Sequence, residues 1–198
     1  GGISLVASSV AMHNEMVRTR PDLAEALYQP MPWSMLEQQR EGEAPWYLQP
    51  IFSVYQGKFS CRYVRGHIKN GHNFPDVQPL TARQIEALDY FDELAWSPKF
   101  HFSFMFKPGD LQFVNNHVAL HSRTSFEDYE ETDRKRHLLR MWIAPPNRNS
   151  RCSRIAFGSG AMDEGGSLFV MPSPHQPNAL RRSFARTFRR MRCRCDAG

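Results

Sequence analysis

The sequence is short of several things, and each shortage removes a class of function. No stretch approaches the ~20 consecutive apolar residues of a membrane-spanning helix, so a helical membrane protein is not expected. The chain opens on Gly1-Gly2-Ile3-Ser4-Leu5-Val6, without an initiator methionine, a basic n-region or an apolar h-region. That start reads as an internal position of a longer parent. The four cysteines, Cys61, Cys152, Cys193 and Cys195, are scattered, and the close pair Cys193-x-Cys195 matches no metal or redox spacing. A reducing, cytoplasmic setting is therefore expected. There is no P-loop, no G-x-G-x-x-G and no G-x-S-x-G, which leaves phosphate-cradle, dinucleotide and nucleophile-elbow chemistry without support.

What is present is enough for one domain. A chain of 198 residues, 41% hydrophobic and carrying 14 Phe, 6 Tyr and 4 Trp, has the material for a single sizeable core. The net charge of +5 invites a nucleic-acid reading, but it is concentrated at one end. Residues 181–198 carry seven arginines against one aspartate, a net of +6, which leaves the body at about −1. Nucleic acid is accordingly not the expected partner. An unselected extension accounts for the interleaved basic and aromatic residues Arg181 to Arg186 better than a binding surface does.

Along the chain, Ser8 or Ser9 caps a helix with a stripe of Val10, Met12, Met16 and Val17, and Pro21-Asp22 opens a second helix through Leu27. Residues 29–50, with Pro30, Pro32, Pro45 and Pro50, read as irregular loop. Ile51 to Tyr55 and Lys58 to Val64 read as a hairpin around Gln56-Gly57. A loop is expected over 66–80, then a helix opened by the capping box Thr81/Gln84, with Ile85, Leu88, Phe91 (or Tyr90) and Leu94 as its stripe. The alternation Phe100, Phe102, Phe104, Phe106 predicts a strand ended by Pro108-Gly109-Asp110. Further strands are expected at Leu111–Val114, Val118–Leu120 and His137–Ala144, the last of them buried. The class is α+β or mainly β. Residues 148–198 read as an irregular, basic and poorly ordered tail, with a short basic helix at 180–192.

The chemistry-bearing stretch runs from Pro108-Gly109-Asp110 through Asn115-Asn116-His117 and His121-Ser122-Arg123, and resumes at Asp133-Arg134-Lys135-Arg136-His137-Leu138-Leu139-Arg140. A Gly-Asp turn, a strand ending in an Asn-rich bend, a histidine, an acidic loop and R-x-x-x-R entering a strand resemble the C-terminal signature of the TauD/TfdA family of Fe(II)- and 2-oxoglutarate-dependent dioxygenases. Gly1-Gly2-Ile3-Ser4-Leu5 is similar to the family's Gly-Gly-x-[Thr/Ser]-Leu segment, so the resemblance spans residues 1–147. It implies a double-stranded β-helix, the jelly roll of the clavaminate synthase type, with flanking helices and truncated at its N-terminus. It also implies a cofactor, Fe(II), and a cosubstrate, 2-oxoglutarate. The reaction would hydroxylate a small organic substrate with dioxygen while 2-oxoglutarate is decarboxylated to succinate.

Carried over by resemblance, His121 is an iron ligand, Arg140 grips the distal carboxylate of 2-oxoglutarate, Arg136 lies nearer the iron-bound end, and the Ser4 hydroxyl assists. The physical case for Arg140 is that a guanidinium amid Leu138, Leu139, Met141 and Trp142 would be buried and would require an anion. An internal salt bridge, to Asp110 for example, is the plainer alternative, and a solvated role is the plainer reading of Arg136. His121, taken alone, also reads as a half-buried polar residue sharing a strand face with His117. The family's other histidine and its carboxylate lie upstream of the Gly-Gly segment. His13-Asn14-Glu15 does not replace them, because residues i and i+2 of a helix point about 200° apart. His117-x-x-x-His121 lacks the glutamate of a zinc protease. Trp46, Tyr63 and Arg65 are candidates for a pocket wall or a core. The rival reading is a non-catalytic fragment or binding module of the same fold, and the oligomeric state is open.

Overall fold

The computed structural model describes residues 2–132, 134–136, 138–143 and 166–170. The chain begins with strand β1 (Ser4–Ser8), which runs directly into helix α1 (Ser9–Thr19). Ser8 makes that switch, its side-chain oxygen accepting from the Ala11 amide at 3.2 Å and so satisfying one of the unpaired donors of the first turn. Helix α1 buries Ser9, Met12 and Met16, while Val10 and Val17 are exposed, so the apolar face is rotated from the expected stripe. Helix α2 (Pro21–Tyr28) has proline in its first turn, where no amide is needed, and buries Leu23, Ala24, Ala26 and Leu27.

The proline-rich stretch expected to be loop contains two strands, β2 (Met31–Ser34) and β3 (Trp46–Gln49), paired antiparallel from Met31↔Gln49 to Ser34↔Trp46. Pro32 is tolerated because a two-stranded ribbon leaves one edge of each strand without ladder bonds. Strands β4 (Phe52–Tyr55) and β5 (Lys58–Cys61) form the expected hairpin. Its turn residues Gln56 and Gly57 have φ of 51° and 73°, the doubly left-handed turn that matches strand twist. Helix α3 (Arg65–Gly71) lies where loop was expected. A Cβ on Gly71 would stand 2.6 Å from the Pro32 carbonyl oxygen, so this glycine serves close packing and not a break. Helix α4 (Ala82–Trp96) starts at the Thr81/Gln84 capping box, both halves of which are made. It buries Ala87, Leu88, Phe91 and Leu94 and leaves Ile85 exposed, again a rotation of the expected stripe.

The remaining strands are β6 (His101–Phe104), β7 (Leu111–Val114), β8 (Ala119–Arg123), β9 (Leu139–Ile143) and β10 (Gly166–Val170). The last lies inside the stretch read as irregular tail, while the helix expected at 180–192 falls outside the described residues. Two antiparallel three-stranded sheets result, in the orders β6-β1-β8 and β7-β10-β9. The Gly-Gly segment, recognised only by its resemblance, thus leads into the middle strand of the first sheet.

One large core, built on Met12, Met16, Leu23, Leu27, Trp33, Phe52, Leu88 and Phe91, joins the helices to the ribbons. A second, small cluster of Phe106 and Val114, with Phe104, Ala119 and Leu138 against it, lies between the two three-stranded sheets. The architecture is mixed, helices with antiparallel strands. No helix among the described residues is long and apolar enough to cross a membrane.

Candidate functional site

Register decides which side chains can meet. Residues paired across a sheet share a face, and Ser4 pairs with Phe104 and Arg123, while Val6 pairs with Phe102 and His121. Ser4, His121 and Arg123 therefore project from one face of β6-β1-β8. In the second sheet the Phe169 backbone pairs with both Gln112 and Arg140, which puts those two on a common face. The small cluster between the sheets holds Phe104 and Ala119 from the first set and Val114 from the second.

Between these faces lies a cavity of about 360 Å³ whose lining includes Ser4, Gln112, His121, Arg123, Arg136 and Arg140. All four residues picked from the sequence, Ser4, His121, Arg136 and Arg140, reach it. Two that the sequence reading did not single out, Gln112 and Arg123, do so as well. Arg123 carried a usable signal: it is two residues beyond His121 on a strand, hence on the same face.

The cavity is strongly cationic. Arg123 and Arg136 lie over the Phe126 ring at 4.3 Å and 5.4 Å from its centroid. The Arg136 amide donates to the Asp128 carboxylate at 2.8 Å, which anchors its backbone. Burial, and then the neighbouring Arg123 charge, pull the Arg136 pKa down from its ordinary value. Burial, and then the Arg140 charge, do the same to His121, favouring the neutral imidazole that a metal ligand must be. Arg140 itself corrects an expectation. It is exposed, not buried, because its apolar chain neighbours Leu139 and Met141 belong to the other face of the strand. Asp110, proposed as its plain partner, accepts from the Lys107 amide at 2.8 Å in the turn before β7.

Other histidines are placed elsewhere. His117 precedes β8 instead of sharing a strand face with His121. Its Nδ1 lies 3.0 Å from the Ser60 hydroxyl and its carbonyl accepts from Cys61 at 2.7 Å, which ties the turn to β5. His13 is half-buried beside the core, with Nε2 2.9 Å from the Tyr28 hydroxyl and its ring against Phe52 and Phe59. Glu15 is engaged by Arg18 and Lys99. Among the described residues no three His, Cys, Asp or Glu side chains group to hold a metal. His121 thus fits iron as one donor, and the described residues do not complete a donor set; a small dianion, by contrast, fits the three guanidinium groups.

A second cavity, of about 640 Å³, opens against the other face of β6-β1-β8, and Leu5, His121, Ser122 and Arg140 line both. Among the described residues strand β8 pairs with β1. Tyr63 and Arg65 line the second cavity, and Trp46, the other wall candidate, donates to Asp76 at 3.4 Å.

Residues 1–142 match the family described as "Taurine catabolism dioxygenase TauD, TfdA family". The chain belongs to that family. Among curated proteins, the "FR-33289 synthase" of Streptomyces rubellomurinus (strain ATCC 31215) is 36% identical over 155 residues, covering 74% of this chain and 44% of that protein. The "Taurine hydroxylase-like protein SAT17" of Stachybotrys chartarum (strain CBS 109288 / IBT 7711) is 34% identical over 157 residues, covering 74% of this chain and 39% of that protein. The chain therefore spans less than half the length of either relative.

Proposed function

We propose that this chain supplies the cosubstrate-gripping part of an Fe(II)/2-oxoglutarate-dependent dioxygenase that hydroxylates a small organic substrate. The observation that carries the reading is the convergence of Ser4, His121, Arg136 and Arg140 on one cavity, from two sheets and a loop. In this reading the dicarboxylate lies in that cavity. The guanidinium of Arg140 forks its distal carboxylate and the Ser4 hydroxyl donates to it, while Arg123 and Arg136, which repel each other without an anion, gain one to share. His121 offers a neutral imidazole as one iron donor, the further donors lying outside the described residues. Iron, when bound, supplies the activation of dioxygen, with 2-oxoglutarate leaving as succinate and carbon dioxide. The two facing sheets are the nucleus of a jelly roll, to which residues 1–147 contribute most of the strands and Gly166–Val170 the middle strand of the second sheet, so the extension read from the sequence at 148–198 is part of the domain at that strand.

The test is calorimetric titration of the 198-residue chain with 2-oxoglutarate and Fe(II) under anaerobic conditions, beside a version extended at its N-terminus to the length of the relatives. On admitting oxygen, succinate is expected from the extended version. Both should bind 2-oxoglutarate, and Arg140→Met should weaken that binding by roughly tenfold to a hundredfold, the worth of a charged hydrogen bond. The same substitution should move the His121 titration, followed by NMR, part of the way back up, since burial remains. Unchanged affinity in Arg140→Met, or robust succinate formation by the 198-residue chain alone, would overturn the reading.

A further inference from the structure

Arg123 and Arg136 both line the smaller cavity but come from different parts of the chain, one from the end of β8 and the other from the stretch before β9. Both guanidinium groups nevertheless lie over one ring, that of Phe126. Like charges brought to one place repel. Beyond the effect of burial, the Arg123 charge lowers the Arg136 pKa, which is a mark of that repulsion. The electron-rich face of an aromatic ring works the other way, because it attracts each cation.

Phe126 is held in turn by the start of the chain. Beyond the last ladder pair of β1 and β8, Ser4↔Arg123, the Ile3 amide donates to the Thr124 hydroxyl oxygen at 3.0 Å and the Thr124 amide donates to the Ile3 carbonyl at 2.9 Å. Gly2 then leaves room for the ring. A Cβ there would stand 3.2 Å from Phe126 Cδ1 and 2.7 Å from the Thr124 carbonyl oxygen, so any side chain at this position would displace the turn that carries Phe126. Two residues further on, the Asp128 carboxylate accepts from the Arg136 amide. The segment from Phe126 to Asp128 thus grips Arg136 at its backbone and at the tip of its side chain.

The arrangement suits an anion. A guanidinium over a ring engages its flat face and keeps the N–H groups at its rim for other partners. Arg123 directs one of these to the Thr124 carbonyl at 3.4 Å. An arginine confined in this way also loses less rotamer freedom on binding than one that swings freely. From these contacts we infer that Phe126 is a positioning residue, which holds Arg123 and Arg136 as a preorganised pair for a small oxyanion in the smaller cavity, and that Gly2 leaves the space in which it does so. The inference rests on the dioxygenase reading for the identity of that anion, 2-oxoglutarate, but not for the pairing of the two arginines.

The 198-residue chain is titrated calorimetrically with inorganic phosphate and, separately, with 2-oxoglutarate. Phe126→Leu keeps an apolar side chain against Gly2 and removes the ring face. It should weaken both anions about tenfold, as for two arginines that must be ordered at the moment of binding. Phe126→Tyr keeps the face and should bind as the unaltered chain does. In an Arg123→Met/Arg136→Met background, where Arg140 remains to hold 2-oxoglutarate, Phe126→Leu should have no further effect, because a residue that acts through two others loses its action with them. A residue that served folding alone would act equally in both backgrounds. The arginine Nε–Hε NMR signals supply a readout that needs no anion and, in the unaltered chain, no variant: those of Arg123 and Arg136 should carry a ring-current shift, which Phe126→Leu abolishes and Phe126→Tyr retains. No binding of phosphate, unaltered phosphate affinity in Phe126→Leu, an equal loss of 2-oxoglutarate affinity in both backgrounds, or absence of the ring-current shift would overturn the inference. If phosphate behaves as expected while 2-oxoglutarate fails to bind, the dioxygenase reading falls and the arginine pairing stands. If Arg140→Met weakens 2-oxoglutarate while Phe126→Leu weakens neither anion, only the pairing falls.

Discussion

The helical part and the strand part of this molecule are packed to different standards. Around α1, α2 and α4 the core residues Met12, Met16, Leu23, Leu27, Leu88 and Phe91 have no exposed surface at all. Among the described side chains from β6 to β9 the second cluster contains two buried residues, Phe106 and Val114, while Phe102 and Phe113 remain 69% and 73% exposed. Stability therefore resides in the helices and ribbons, and the candidate site resides in the thinly packed sheets beside them. A cavity requires just this separation, because side chains that line a space cannot also fill it.

Substitutions in the two regions should differ in size accordingly. The largest effect is expected at Phe91, which packs edge-on against Phe52 and Tyr63 at ring centroid separations of 5.4 Å and 5.0 Å. Phe91→Ala should cost about 3–5 kcal/mol, read as a lowered midpoint in urea unfolding. An intermediate effect is expected at the start of α4. Thr81→Ala removes the side-chain oxygen that accepts from Gln84 at 3.2 Å and should cost about 1 kcal/mol by the same measurement. The smallest belongs to the strands: Phe102→Ser should change stability by no more than about 0.5 kcal/mol, since little surface is lost from the interior there. A loss at Phe102 as large as at Phe91 would break the comparison and would mean that the sheets share the main core.

How far the sequence revealed this depends on the residue considered. The α4 capping box and the β4–β5 hairpin were readable because each depends on local chemistry, whereas Ser4, His121, Arg136 and Arg140, which line one cavity, were picked through resemblance to a family's segments. Arg140 was picked for a reason that the structure corrects. An apolar run suggests burial of everything in it, yet on a strand the flanking apolar residues face the opposite way, and the arginine is left exposed to its cavity. The β2–β3 ribbon was hidden by Pro32 and Pro45, and α3 by Gly66 and Gly71. In both, tertiary contact outweighs local preference: Gly71 is required by the close approach to Pro32, not by a turn. Strand β10 sits between β7 and β9 with partners 53 and 23 residues before its first residue pairings, Ser167↔Val114 and Gly166↔Ile143, and no local pattern announces a pairing of that kind.

The pairing of Ser4 with Arg123 carries a kinetic consequence. Strand β1 cannot gain its neighbour β8 until synthesis has passed Arg123, and closing so long a loop is entropically slow compared with the helix contacts nearby. The helices and ribbons should collapse first and the arginine-lined face should assemble last, so a translation arrest between α4 and β8 would yield a compact protein without that face.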